Sequence, residues 1–161
     1  MAAVPLDSPP AVPRWDDALV QLYEQHYDHL VRLAYLVSGQ AHHAEEVVQE
    51  AFVKAHRSWA GVREPLPYLR TAVVNGCRSV GRRLALERDR LPRAPEPVVL
   101  QADELWDALG TLNDRQRAAV VLRFYCDLPD ADIAAVLGCR EATVRTSVHR
   151  ALARLRKEIA R

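Results

Sequence analysis

Residues 112–159 read LNDRQRAAVVLRFYCDLPDADIAAVLGCREATVRTSVHRALARLRKEI, and this stretch decides the fold. Its pattern predicts a helix over Asp114–Tyr125, a short helix over Asp130–Leu137, a tight turn at Gly138 and a long basic helix over Glu141–Ala160. That spacing is a helix-turn-helix, whose second helix enters the DNA major groove. In the last helix Val144, Val148, Ala151, Leu152 and Leu155 recur at three- and four-residue steps and mark the buried stripe, with Ile133, Ala134 and Leu137 packing against it. Gly138 supplies a left-handed backbone without a Cβ clash. Asn113 or Asp114 is placed to cap the helix that follows. Opposite the stripe lie Arg140, Glu141, Thr143, Arg145, Thr146, Ser147, His149 and Arg150. Arginine suits guanine edges or phosphate, threonine and serine suit phosphate, and glutamate accepts from a cytosine amino group. The bland counterpart is a solvated basic helix, but turn, stripe and polar face together favour a groove reader.

Outward from this motif the chain reads as all-α. A helical pattern starts near Asp16, runs through Leu19, Leu22, Tyr23, His26, Leu30, Leu33, Ala34 and Val37, and ends at Gly39. A second helix is expected over Ala41–Trp59, with Ala44, Val47, Val48, Ala51, Phe52 and Ala55 on one face. Gly61, Pro65 and Pro67 predict a loop, and a third helix follows over about Leu66–Arg88. Pro92, Pro95 and Pro97 then stop any helix. The expected organisation is therefore a disordered tail over 1–13, a helical domain over 14–88, a Pro-rich linker over 89–100 and a helix-turn-helix domain over 101–161, which opens with a helix over Asp103–Leu112. Each domain is small for an independent core.

Composition narrows the function. Hydrophobic residues make up 49% of the chain and aromatic ones only 6%, which suits helices and argues against a β-sandwich. No apolar run approaches the roughly 18 residues of a membrane span. No charged-then-apolar leader opens the sequence, so no membrane insertion and a cytoplasmic location are expected. The net charge of +1 hides a pattern. Residues 140–161 hold seven basic and two acidic side chains, residues 70–90 hold six and two, and residues 40–50 hold three acidic and no Lys or Arg. Two basic patches and one acidic patch imply more than one kind of partner. Cys77, Cys126 and Cys139 lack CxxC or zinc-ligand spacing and read as reduced structural thiols. His42 and His43 are adjacent and His26 and His29 lie three apart, without a further ligand at metal spacing. No phosphate loop or nucleophile–base pattern occurs, so neither enzyme, metal nor cofactor is implied.

The segment LPDADIAAVLGCREATVRTSVHRALARLRKEI resembles the promoter-binding domain of the extracytoplasmic-function sigma factors, sigma-70 superfamily subunits of bacterial RNA polymerase. LYEQHYDHLVRLAYLVSGQAHHAEEVVQEAFVKAHRSW and PLPYLRTAVVNGCRSVGRR resemble their other domain, in the wording of the actinobacterial subgroup. The resemblance spans about residues 17–159. It implies that the acidic helix docks on core RNA polymerase through Glu46, Gln49, Glu50 and Phe52. It implies that Tyr68, Arg70, Asn75, Arg78, Arg82 and Arg83 hold the melted strand of the downstream (−10) box, with a flipped base received by a loop over Gly61–Tyr68 beside Trp59. The face Arg140, Glu141, Thr143, Arg145, Thr146, His149 and Arg150 would read the upstream (−35) box as duplex. Inhibition would come from an anti-sigma protein. Two rival readings stay open: a stand-alone helix-turn-helix regulator, and a protein-interaction adaptor without DNA binding. The acidic helix and the basic helix around Asn75 speak against the first, and intact Thr143, Arg145 and Arg150 against the second.

Overall fold

The computed structural model describes residues 16–88 and 104–160, so the tail expected over 1–13 and the linker expected over 89–100 lie outside the described residues. Seven α-helices follow one another in the described residues: α1 Asp17–Ser38, α2 Ala41–Arg57, α3 Pro65–Arg88, α4 Glu104–Gly110, α5 Asp114–Phe124, α6 Asp130–Leu137 and α7 Glu141–Ile159. A single 3-10 turn, Trp59–Gly61, lies between α2 and α3.

Local chemistry sets the helix ends. Asp16 caps α1 by accepting from the Ala18 N–H at 2.9 Å. Gly39, at φ +73°, closes it with an N–H donated to the Tyr35 carbonyl. Asn113 and Gln116 form a reciprocal capping box at the start of α5. Gly138, at φ +63°, turns the chain between α6 and α7, and the next N–H, of Cys139, reaches back to the Ala134 carbonyl at 3.0 Å. The helix-turn-helix expected from the sequence is thus present.

The expected loop over Gly61–Tyr68 is shorter than the proline count suggested. Pro65 opens α3, and Pro67 and Tyr68 lie in its first turn. A first turn tolerates proline because its N–H groups have no intrahelical acceptor. Only 62–64 separate the 3-10 turn from the helix.

Helices α1, α2 and α3 form one bundle, and α5, α6 and α7 form the other. A continuous core joins them: Leu30, Leu33, Val48, Phe52, Val73 and Val74 of the first belong to the same cluster as Ala118, Leu122, Ile133 and Val144 of the second. The halves meet where α5 crosses α1 and α6 crosses α3. At this seam the Tyr125 ring stacks on His29 with centroids 4.6 Å apart, and its hydroxyl donates to the His29 carbonyl at 3.4 Å. Two halves too small for comfortable independence therefore bury apolar surface against each other.

Candidate nucleic-acid interface

The polar face of α7 stands largely as the sequence predicts. Arg140, Glu141, Arg145, Thr146, His149 and Arg150 are exposed, and Thr143 is half-buried. The Thr146 hydroxyl donates to the Ala142 carbonyl at 2.9 Å, which leaves its oxygen free to accept. Ser147 departs from the expectation. It is buried with Val144 and Val148 and belongs to the stripe, because residues three apart on a helix share a face. Arg145 is flanked by two carboxylates: its Nη1 lies 3.7 Å from Asp130 and 3.7 Å from Glu141.

The six α3 candidates divide among three environments. Tyr68, Asn75 and Arg83 line one groove together with Glu50, Lys54, Thr71 and Ser79. Arg78 and Arg82 face a different cleft of about 770 Å³, opposite Thr143, Thr146 and Arg150 of α7. Arg115, at the start of α5, lines that cleft as well and was missed from the sequence, as were Lys54, Thr71 and Ser79. Lys54 had a visible signal: it sits four residues after Glu50 on α2 and pairs with it at 3.1 Å. Arg70 joins neither set. It is half-buried at the seam, with its Nε shielded and without a hydrogen-bond partner, and its charge acts on both His29 and Cys126. In the docked arrangement Arg70 therefore lies outside the groove that holds Asn75, where the sequence had grouped the two.

On α2 the exposed stripe is Glu46, Gln49, Glu50 and Val53. Phe52, expected as an apolar anchor, is 1% exposed and packs edge-on against Tyr23 at 5.0 Å, so it supports this face from beneath. The exposed apolar surface is supplied by Val20, Tyr23 and Val53, each more than a third exposed, around a groove that Gln49 and Phe52 also line. Glu46 lies 3.5 Å from the His43 ring.

Burial governs the titratable groups at the seam. Desolvation lowers the pKa of His29 below the ordinary histidine value, and the charges of Arg70 and His26 push it the same way. Burial pushes the Cys77 thiol up to about 12 and also raises Cys126. A thiol so shifted holds little thiolate at neutral pH, which fits the structural reading of Cys77. Cys77, Cys126 and Cys139 are all free. Among the described residues no cluster of three or more His, Cys, Asp or Glu side chains has metal-binding geometry, and no helix is long and apolar enough to cross a membrane.

The described residues thus hold a helix-turn-helix joined to a second helical half with one acidic and one basic face. The family profile of sigma-70 region 2 matches residues 22–86, and that of sigma-70 region 4 matches residues 102–155. The extracytoplasmic-function sigma factor SigE of Mycolicibacterium smegmatis is 34% identical over 94% of this chain, which spans 63% of its length. RNA polymerase sigma-E factor of Streptomyces avermitilis is 32% identical over 82% of this chain and 79% of its own length. The fold is similar to that of the sigma factor RpoE of Bartonella quintana, solved with the anti-sigma factor NepR, at a TM-score of 0.76 and 24% identity over 90% of this chain and 98% of that one. The chain belongs to the extracytoplasmic-function sigma factors, which initiate transcription with bacterial RNA polymerase and are not enzymes.

Proposed function

We propose that this sigma factor reads its promoter in two pieces and docks on polymerase through a third surface. Glu46, Gln49 and Glu50, with Val20, Tyr23 and Val53 beside them, meet core RNA polymerase: acidic side chains around an apolar groove suit a basic, partly apolar helical surface. Phe52 acts by holding that face in shape. Tyr68, Asn75 and Arg83, joined by Lys54, hold the melted downstream strand, with Asn75 offering both a donor and an acceptor to a base edge. Arg78 and Arg82, which face α7 while the halves are docked, track its backbone once the halves part. The face Arg140, Glu141, Thr143, Arg145, Thr146, His149 and Arg150 reads the upstream box as duplex. The units are residues 14–88 and 101–161 with a tether over 89–100, and the site of action is the cytoplasm.

The observation that carries this reading is the order of two separate polar faces on one chain, acidic on α2 and basic on α7, in the order of sigma-70 regions 2 and 4. Box centres about 25 base pairs apart are separated by about 85 Å at 3.4 Å per step. While the halves are docked, Arg78 and Arg82 of α3 share one cleft with Thr143, Thr146 and Arg150 of α7. Reading both boxes therefore requires the docked halves to part, and the polymerase supplies the contacts that replace the seam. An anti-sigma protein would act by denying one of these surfaces.

A contrast tests the proposal. Glu50→Lys should weaken association with core polymerase in pull-down while duplex binding by the chain persists. Arg145→Ala should leave polymerase association intact and weaken upstream-box binding by about 1–3 kcal/mol. Equal loss in both assays for both variants would refute separate polymerase and upstream-box surfaces.

A further inference from the structure

Arg145 projects from α7 with more than half of its side chain exposed, yet it is not free. The Asp130 carboxylate, first residue of α6, approaches its Nη1 to 3.7 Å through Oδ2. The other oxygen of that carboxylate, Oδ1, pairs with Nη2 of Arg123 on α5, and both of these atoms are shielded from solvent. Glu141, one turn before Arg145, approaches the same Nη1 from its own helix at 3.7 Å. One carboxylate thus ties three helices together, anchored on its inner side and presented to the reading arginine on its outer side.

A carboxylate beside a DNA-facing arginine opposes phosphate binding, since it adds negative charge where phosphates lie. It has an offsetting use. A guanidinium reads guanine only when its planar fork is aligned with O6 and N7, and a loose arginine settles on any phosphate within reach. Phosphate contacts position a protein but carry no sequence information. We propose that Asp130 is the positioning residue for Arg145: it holds the guanidinium off the phosphates and orients it toward a base edge, so it sets discrimination in the upstream box rather than affinity. The proposal rests on the upstream-box reading of Arg145.

Asp132 supplies an internal control. It lies in the same first turn of α6, is exposed, and shares the favourable interaction of an acid with a helix N-terminus. No ion pair to Arg145 involves it. A role for Asp130 confined to placing an acid at the helix N-terminus would therefore be mimicked by Asp132, and one confined to its Arg123 pair would persist without Arg145.

The experiment uses holoenzyme assembled from core RNA polymerase and the full chain, selecting from duplexes randomised through the upstream box. Wild type, Asp130→Asn, Asp130→Glu, Asp132→Asn, Arg145→Ala and the Asp130→Asn/Arg145→Ala pair are compared. Asp130→Asn should reduce discrimination at the Arg145-read base about tenfold. It should also steepen the dependence of log affinity on log salt by about one unit, as an added phosphate contact does. Asp130→Glu retains the charge for Arg123 but moves the carboxylate outward, and should shift discrimination without that steepening. Asp132→Asn should leave discrimination unchanged. In the double variant Asp130→Asn should add nothing to Arg145→Ala, because the two act through one contact. Unchanged discrimination in both Asp130 variants, while Arg145→Ala relaxes it, overturns the proposal and leaves the upstream-box reading standing. An effect of Asp130→Asn that persists without Arg145 also overturns it. If Arg145→Ala relaxes nothing, the upstream-box reading falls and the proposal with it.

Discussion

Two glycines on α3 provide a matched pair whose substitution should have opposite effects. A Cβ built on Gly76 would lie 2.8 Å from Cγ1 of Val47 on α2, closer than carbon atoms pack. A Cβ on Gly81 meets nothing within 4 Å. Both residues sit inside the same helix, so Gly→Ala gains roughly 0.5–1 kcal/mol of helix propensity at either position. At Gly76 that gain is set against overpacking. Val47 is 5% exposed and β-branched, so it cannot rotate away, and forcing a methyl into such a contact costs about 1–3 kcal/mol. Gly81→Ala should therefore stabilise by up to about 1 kcal/mol, and Gly76→Ala should destabilise by about 0–2 kcal/mol. The difference, about 1–3 kcal/mol, isolates the close approach of α2 and α3. Urea unfolding followed by circular dichroism reads it as midpoints separated by about 1 M at a slope near 2 kcal/mol per M. Val47→Ala combined with Gly76→Ala should cost less than the sum of the two single changes, since the offending methyl is gone. Midpoints for Gly76→Ala and Gly81→Ala that move together would show that α2 and α3 are not held at this spacing. The spacing matters for function because Gly76 lines the groove between Glu50, Lys54 and Asn75.

The other predictions probe the seam, the core and a cap. His29 is held below the ordinary histidine pKa in the folded state, so the unfolded chain takes up protons first; stability should fall as pH drops below about 6.5, and His29→Gln should flatten that dependence in thermal melts from pH 7.5 to 5. Phe52→Ala should cost about 3–5 kcal/mol of stability as a core truncation, whereas Val53→Ser should change stability by no more than about 0.5 kcal/mol and still weaken polymerase pull-down. Asn113→Ala removes one arm of a capping box and should cost about 1 kcal/mol in urea unfolding; no measurable change would mean the cap is dispensable.

Chain features that act locally were legible in the sequence. Gly39, Gly138 and Asn113 announce helix ends because cap chemistry involves only residues within one turn. The same rule accounts for the start of α3: a proline breaks a helix interior but suits its first turn, so the helix expected from about Leu66 begins at Pro65, and only the loop expected to run on to Tyr68 is shortened. Phe52 carried its own warning, since it falls on the apolar stripe Val48, Ala51, Phe52 and Ala55, while Val53 one step on faces solvent. Arg70 is about 140° around α3 from Asn75 by helix geometry, so charge alone grouped residues that period would have separated. The seam between halves was invisible because its contacts join residues such as His29 and Tyr125, far apart in sequence, and no local pattern encodes such a pairing.

The claim that one chain reads two boxes is tested most directly by mapping transcript starts made in vitro on genomic DNA by core RNA polymerase with and without this protein. The account predicts start sites that depend on the chain and share two sequence boxes, with Arg145→Ala relaxing the upstream box and Asn75→Ala the downstream one. Start sites that do not depend on the chain, or that share a single box, would contradict it.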